Sequence, residues 1–343
     1  MSHWIEAVEY SHGLFTFFKS IDMSNYSTLI NEFIASLPIP KRPANLYDPI
    51  RYTLSQGGKR LRPELCLIAC HTLGGNPKQA LYPAVALELL HNFTLIHDDI
   101  MDQSELRRGQ ESVYKKWGTN TAILAGDTLL GLAYDLMLKY STIGSNKCYS
   151  LMTTTFIQIC EGQQMDTDFE RRKVVPVEEY LEMIRLKTSV LLAACMKAGA
   201  ISAHASPEIQ NAFYDFGINI GLAFQIQDDM LDVYSQTEKL GKKIGEDIFA
   251  NKKTYLSTKA MELLQGDDLA ALKHFFTKID FKRQEKFEGV KKLYESCHVR
   301  DVANEQIKEY YEKAFRILDS LNLKASQTTE LHEFTNRLMY REY

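Results

Sequence analysis

Two short acidic runs are spelled almost alike, Asp98-Asp99-Ile100-Met101-Asp102 and Asp228-Asp229-Met230-Leu231-Asp232. In each, the first and last carboxylates are four residues apart, so a helix stacks them on one face. Like charges there repel, and folding alone does not reward them. Apolar segments precede both runs, Leu89 to Ile96 for the first and Gly221 to Phe224 for the second. Such segments are too apolar for surface helices, which directs the acids toward a cavity. A solvated acidic helix end would explain one run. Two with the same spacing are better explained by carboxylates that face one another and hold hard divalent cations. Mg²⁺ binds in this way, shared between one or two carboxylates and substrate phosphates.

Cations are interleaved with these acids. Gly57-Gly58-Lys59-Arg60-Leu61-Arg62-Pro63 is a glycine turn followed by three cations in four residues. Glycine lets the backbone approach an anion closely, and Lys and Arg supply charge-assisted donors. The GxxxxGK[ST] spacing of a P-loop is missing. Arg107-Arg108 follows the first acidic run, and Gly241-Lys242-Lys243-Ile244-Gly245-Glu246-Asp247, with Lys252-Lys253 beyond, follows the second. Taken singly, each basic stretch is a solvated surface. Together with metal-binding acids they describe a diphosphate site.

The elements that carry these residues should be helical. The chain has 343 residues, 45% hydrophobic and 24% charged, which excludes intrinsic disorder. Lys plus Arg is 40 against 44 Asp plus Glu, a net charge of -4, so a general nucleic-acid binder is not indicated. Helical periodicity runs nearly throughout, with little strand alternation. Pro83 should open a long apolar helix, Ala84 to Met101, since proline suits a first turn. Gly109, Gly118, Gly144, Pro176 and Pro207 mark further breaks, and 239–253 reads as a charged loop. From Gln265 onward, charged and apolar residues alternate as in an amphipathic helical layer. Six cysteines (Cys66, Cys70, Cys148, Cys160, Cys195, Cys297) form no CxxC pair, so buried free thiols are expected. The segment MSHWIEAVEY lacks a secretory apolar stretch, and no run reaches the ~18 uncharged apolar residues of a membrane span. These features predict one cytosolic, all-α domain over 1–343.

GGKRLRP, LLHNFTLIHDDIMD, LRRG, GLAFQIQDDMLD and GKKIGEDIFANKKTY, in this order, resemble the trans-type isoprenyl diphosphate synthases. The resemblance is continuous from about Tyr47 to Lys259, weaker over the C-terminal helices and slight over 1–44, where Phe15, Phe17 and Phe18 have no counterpart. It implies long helices around a deep central cavity, a homodimer, and prenyl transfer from an allylic diphosphate to isopentenyl diphosphate. Three Mg²⁺ ions are implied, two on Asp98 and Asp102 and one on Asp228, with Asp99, Asp229 and Asp232 acting directly or through metal-bound water. Arg107, Lys187 and Lys252 would contact the allylic diphosphate. Lys59, Arg62, His91 and Arg108 would grip isopentenyl diphosphate, and either Lys242 or Lys243 would contact a diphosphate. Oxygens of Thr188 and Gln225 would steady the allylic cation, while Gln163 and Asp166 would act one layer out.

Helix geometry extends this to product length. Thr94 lies about 6 Å below Asp98 and roughly 40° off; Leu87 lies about 16 Å down and roughly 20° off; Phe93 is rotated by roughly 140°. Thr94 would let a chain pass, Leu87 would form the floor, and Phe93 would narrow the cavity from the side or face a neighbouring helix. In the resembling family, an aromatic five positions before DDxxD goes with geranylgeranyl diphosphate (C20), with farnesyl diphosphate (C15) the alternative. Three competitors are weaker. Glu88-x-x-His91 and Glu295-x-x-His298 fit a di-iron helical bundle but leave both DDxxD runs unexplained. A terpene cyclase normally lacks GGKRLRP, and a non-catalytic partner subunit usually lacks aspartates that are all present here.

Overall fold

The computed structural model describes residues 26–141, 146–235, 244–277 and 281–339. Helices α1 (Tyr26–Ala35), α2 (Ala44–Ser55), α3 (Leu61–Thr72) and α4 (Pro77–Met101) come first. A small antiparallel hairpin follows, β1 (Leu106–Arg107) and β2 (Gln110–Glu111), and then α5 (Val113–Trp117), α6 (Thr119–Ser141) and α7 (Asn146–Glu170). Next, α8 (Val177–Ile184) runs through a π-helical segment, Arg185–Ser189, into α9 (Val190–Ser202). The longest helix is α10 (Pro207–Tyr234), followed by the short α11 (Glu246–Phe249) and α12 (Tyr255–Leu263). The C-terminal layer is α13 (Gly266–Thr277), α14 (Arg283–Ser296), α15 (Val299–Ser320) and α16 (Ala325–Met339). The all-α expectation is borne out.

Capping chemistry sets where the two site-bearing helices begin. Asn76 accepts from the Lys78 N–H, with Pro77 in the first turn of α4, and Ser206 accepts from the Ile209 N–H, with Pro207 in the first turn of α10. The expectation that Pro83 opens the first of these is therefore corrected. Pro83 lies buried inside α4, where it forgoes one backbone hydrogen bond, and the Asn76-Pro77 pair is the stronger start signal. Gly109 turns the hairpin at φ 75°, Gly118 ends α5 and Pro176 precedes α8, as the breaks suggested. Gly144 lies outside the described residues.

The middle helix explains how the bundle closes. Apart from Lys197, α9 is apolar on every face and is buried accordingly. Val190, Leu191, Ala194, Cys195, Ala198 and Ile201 join a core with α1, α2, α4 and α6, while Leu192, Met196 and Ala200 join a second core with α8, α10 and the C-terminal helices. There α15 buries Val299, Ala303, Ile307, Tyr311, Ala314 and Leu318, one stripe of an amphipathic helix. Of the six cysteines, Cys160 is exposed and Cys297 half-buried, whereas the other four are buried free thiols. One described helix, Thr119–Tyr140, is long and apolar enough to cross a membrane by length and composition. It carries Asp127, Asp135 and Lys139, and it packs along α4.

Candidate active site

Both acidic runs end long helices. Asp98 stands in the last turn of α4 and Asp102 caps it, its N–H bonded to the Asp98 carbonyl at 2.8 Å. Asp228 to Asp232 occupy the last two turns of α10. A helix C-terminus carries partial negative charge, so these carboxylates sit where anions are disfavoured without a cation. Lys252, in the turn after α11, reaches across to Asp102 at 3.5 Å and joins the end of α4 to the segment that follows α10. Burial alone would lower the Lys252 pKa, but Asp102, Asp247 and Asp166 together raise it, so this ammonium stays charged. Burial also pushes the Asp98 carboxyl up, opposed by Lys187.

The central aspartates behave differently from their neighbours. Asp99, 3% exposed, accepts from Arg107 Nε at 2.9 Å and Nη2 at 2.5 Å, which aims the guanidinium from β1. Asp229, 4% exposed, accepts from the Tyr180 hydroxyl, from the Tyr255 N–H at 2.8 Å and from Gln225 Nε2 at 3.2 Å. Burial pushes its carboxyl up to about 8, with Tyr180 pulling the other way. Asp99 and Asp229, placed among the metal ligands on the sequence, thus commit oxygens to protein donors. Asp232 accepts from the Asp247 N–H at 3.2 Å, which anchors the loop after α10.

The π segment brings in Lys187 and Thr188. Its widened turn packs against α7 at Gly162, where a methyl group would come within 2.4 Å of the Lys187 backbone nitrogen. Lys187 Nζ then bonds Asp166 at 2.6 Å, and Thr188 Oγ1 donates to Gln225 Oε1 at 3.0 Å. Thr188, Gln225 and Asp229 therefore form one hydrogen-bonded row.

On the opposite flank, Gly58 adopts φ 132° beneath Arg108, whose guanidinium would lie 3.0 Å from any added Cβ, and Arg108 donates to the Gly57 carbonyl. Lys59 is exposed at the loop edge. Arg62 donates to His91 Nε2 at 3.1 Å. Burial, with Arg62, Arg108, Arg107 and Arg60 around it, lowers the His91 pKa well below its usual range and keeps the ring neutral. Two cations of the basic stretches do not join this surface. Arg60 is buried against Glu88, and Lys253 is turned inward with its pKa lowered by burial. A basic run shows charge but not the direction of each side chain: of the three cations in GGKRLRP, the two assigned to isopentenyl diphosphate, Lys59 and Arg62, stay outside the core, and Arg60 does not.

Lys242 and Lys243 lie outside the described residues. Among the described residues, no three His, Cys, Asp or Glu side chains converge to hold an ion unaided. The donors that Asp98, Asp102 and Asp228 offer are carboxylate oxygens, the ligand type of Mg²⁺, which completes its shell with water and substrate phosphate. The di-iron alternative fails on position: Glu88 pairs with Arg60, and His298 is 80% exposed at the start of α15. Tyr180 and Tyr255 were not expected from the sequence, and nothing local marks residues that meet Asp229 from 49 and 26 positions away.

A bundle of long helices with paired carboxylates at two helix ends and cations between them is the architecture of a helical diphosphate-handling enzyme. Residues 43–296 match the family model for polyprenyl synthetase. The chain belongs to that family, whose members are trans-prenyltransferases acting on allylic and isopentenyl diphosphates. It is 40% identical over 324 residues to a geranylgeranyl diphosphate synthase of Methanosarcina mazei, covering 94% of this chain and 98% of that one. A geranylfarnesyl diphosphate synthase of Natronomonas pharaonis is 41% identical over 263 residues, 71% of this chain and 76% of that one. The crystal structure of geranylgeranyl pyrophosphate synthetase from Pyrococcus horikoshii superposes with a TM-score of 0.85 at 36% identity, covering 92% and 96% of the two chains.

Proposed function

We propose that this protein condenses an allylic diphosphate head-to-tail with isopentenyl diphosphate and releases geranylgeranyl diphosphate as its main product. The observation that carries this is the pair of carboxylate-bearing helix ends, with Lys252 tying the end of α4 to the segment that follows α10, flanked by a separate Arg62–His91–Arg108 anion surface. Two anion sites side by side suit two diphosphate substrates.

Asp98 and Asp102 would hold two Mg²⁺ ions and Asp228 a third, with Asp232 beside it. When bound there, Mg²⁺ would neutralise charge on the allylic diphosphate and so favour departure of pyrophosphate. Lys187, Lys252 and Arg107 hold that diphosphate; Asp166 and Asp99 orient the first and last of these. Lys59, Arg62, Arg108 and neutral His91 hold isopentenyl diphosphate, whose double bond then attacks C1 of the allylic cation. Oxygens of Thr188 and Gln225 offer lone pairs to the developing positive charge, and transfer of a proton to the released pyrophosphate restores the alkene. The chemistry is tested by turnover in Mg²⁺ against turnover in EDTA. Equal rates would overturn it.

Chain length follows α4. Thr94 is half-buried with its hydroxyl on the His91 carbonyl, and Leu87 is fully buried. Phe93 packs edge-on against Phe156 of α7 at 5.8 Å and lies 4.5 Å from the His97 ring, so it faces the neighbouring helix. The C20 assignment draws on the Methanosarcina and Pyrococcus proteins, while the Natronomonas protein's name shows that length varies at similar identity. Thr94→Phe should shorten the product and Leu87→Ala should lengthen it, while Phe93→Ala, expected from the sequence to lengthen it, should do so less because the ring packs against α7. Product chromatograms unchanged in all three would show that α4 is not the ruler.

The protein is further proposed to act as a homodimer. Leu124, Gly131 and Leu138 are exposed at seven-residue spacing along α6, and Tyr149 and Ile157 of α7 are exposed beside that helix. Light scattering after size exclusion should give twice the 39.3 kDa chain mass, and Leu124→Glu with Leu138→Glu should halve it.

A further inference from the structure

The buried pair Arg60–Glu88 has no part in the chemistry above, yet it sits between residues that do. Its side chains are only 2% and 4% exposed. Arg60 donates from Nη1 to Glu88 Oε1 at 2.7 Å, from Nη2 to the Leu54 carbonyl at 2.8 Å and from Nε to Asn31 Oδ1 at 3.2 Å. Glu88 also accepts from Asn92 Nδ2 at 3.3 Å. Arg60 adopts φ 48°, left-handed backbone that a non-glycine residue enters only at a cost. The turn points Arg60 inward, while Lys59 before it is exposed and Arg62 after it reaches His91. His91 lies between Glu88 and Asn92 on α4.

Stability alone does not account for this arrangement. A buried ion pair recovers little more than its desolvation cost, and apolar residues of similar volume serve a core as well or better. An ion pair does impose direction, because a planar guanidinium with several fixed partners admits one pose.

We propose that Arg60–Glu88 is a positioning clasp for the isopentenyl half-site. It locks the 57–60 turn and the start of α3 against α4, so that Lys59, Arg62 and His91 converge on one diphosphate. Glu88 and Arg60 are then positioning residues that act through Lys59 and Arg62 without touching substrate. The inference rests on assigning GGKRLRP to isopentenyl diphosphate.

Steady-state kinetics of the full chain with dimethylallyl and isopentenyl diphosphates, alongside thermal melts, test the clasp. Glu88→Gln keeps the shape and removes the charge. The double variant Arg60→Met/Glu88→Leu removes both charges and should melt near the parent temperature. Both should raise the isopentenyl KM about tenfold, the scale of one charge-assisted bond. The allylic KM and kcat at saturation should stay within about twofold. A variant that melts like the parent and keeps its isopentenyl KM overturns the clasp, as does one that loses kcat with both KM values unchanged. Lys59→Ala is the control for the underlying assignment. If it leaves the isopentenyl KM unchanged, the half-site itself is misassigned; if it raises that KM while Glu88→Gln does not, only the clasp fails.

Discussion

The two DDxxD runs share a spelling and a place at the end of a long helix, but the middle carboxylate of each is held by opposite means. Asp99 is met by a guanidinium that is itself 30% exposed toward the site. Asp229 is met by neutral donors from three directions and has no cation partner among the described residues. The first aspartate aims a functional group. The second ties α8, α10 and α12 together at the acidic end of α10. One motif therefore contributes electrostatics where the other contributes rigidity, a difference that lies in the surroundings of each run.

The largest expected effect falls on the residues that the two runs use alike. Asp98→Ala and Asp228→Ala should each lower turnover by several orders of magnitude while the protein keeps its melting temperature. Removing one of several clustered carboxylates relieves repulsion in the metal-free chain. A variant with near-normal turnover would remove that carboxylate from the metal site.

The middle aspartates should then separate. Asp99→Ala leaves Arg107 without its partner, and a charge-assisted bond is worth about 1.5–3 kcal/mol, so kcat/KM for the allylic substrate should fall about ten- to a hundredfold. Its melting temperature should change little, because Arg107 can turn to water. Asp229→Ala instead strands the buried Tyr180 hydroxyl and the Tyr255 N–H, at about 1–3 kcal/mol each. At roughly 2.1 cal/mol/K per residue of unfolding entropy, that corresponds to a drop of about 3–8 °C. Calorimetry and initial rates on the same preparations decide the matter. If both variants lose activity and stability in the same proportion, the contrast between the runs disappears.

Much of this was legible because the signals are local. Acid spacing, the glycine turn and the proline breaks each reside within a few residues, and helical periodicity carries the fold. What was not legible is directional or distant. Nothing in GGKRLRP distinguishes Arg60, which left-handed backbone turns inward, from Arg62, which stays on the site. Lys187 and Thr188 lie in an apolar stretch with no motif of their own, and they were named through resemblance. The π turn that presents them depends on Gly162, 25 residues earlier on another helix. Pro83 misled because proline marks both helix starts and tolerated interior positions, and only the Asn76 cap separates the two.

The smallest effect is the sharpest test of how Asp229 is held. Tyr180→Phe keeps a ring that is 1% exposed and removes one donor of three. The Tyr255 N–H at 2.8 Å and Gln225 at 3.2 Å remain, so the carboxylate stays satisfied and no cavity opens. The cost should be that of one ordinary hydrogen bond, about 1 kcal/mol, or a fall of about 1–2 °C in melting temperature. Turnover should stay within about threefold, since Asp228 keeps its place on α10 and the row Thr188–Gln225–Asp229 is intact. Arg107→Lys, the matching trim on the other run, exchanges a two-pronged donor for a point charge and should instead show in allylic kcat/KM with no melting shift. A Tyr180→Phe enzyme that melts normally but loses activity tenfold would mean that Asp229 works in the chemistry, and that the two middle aspartates are more alike than their partners suggest.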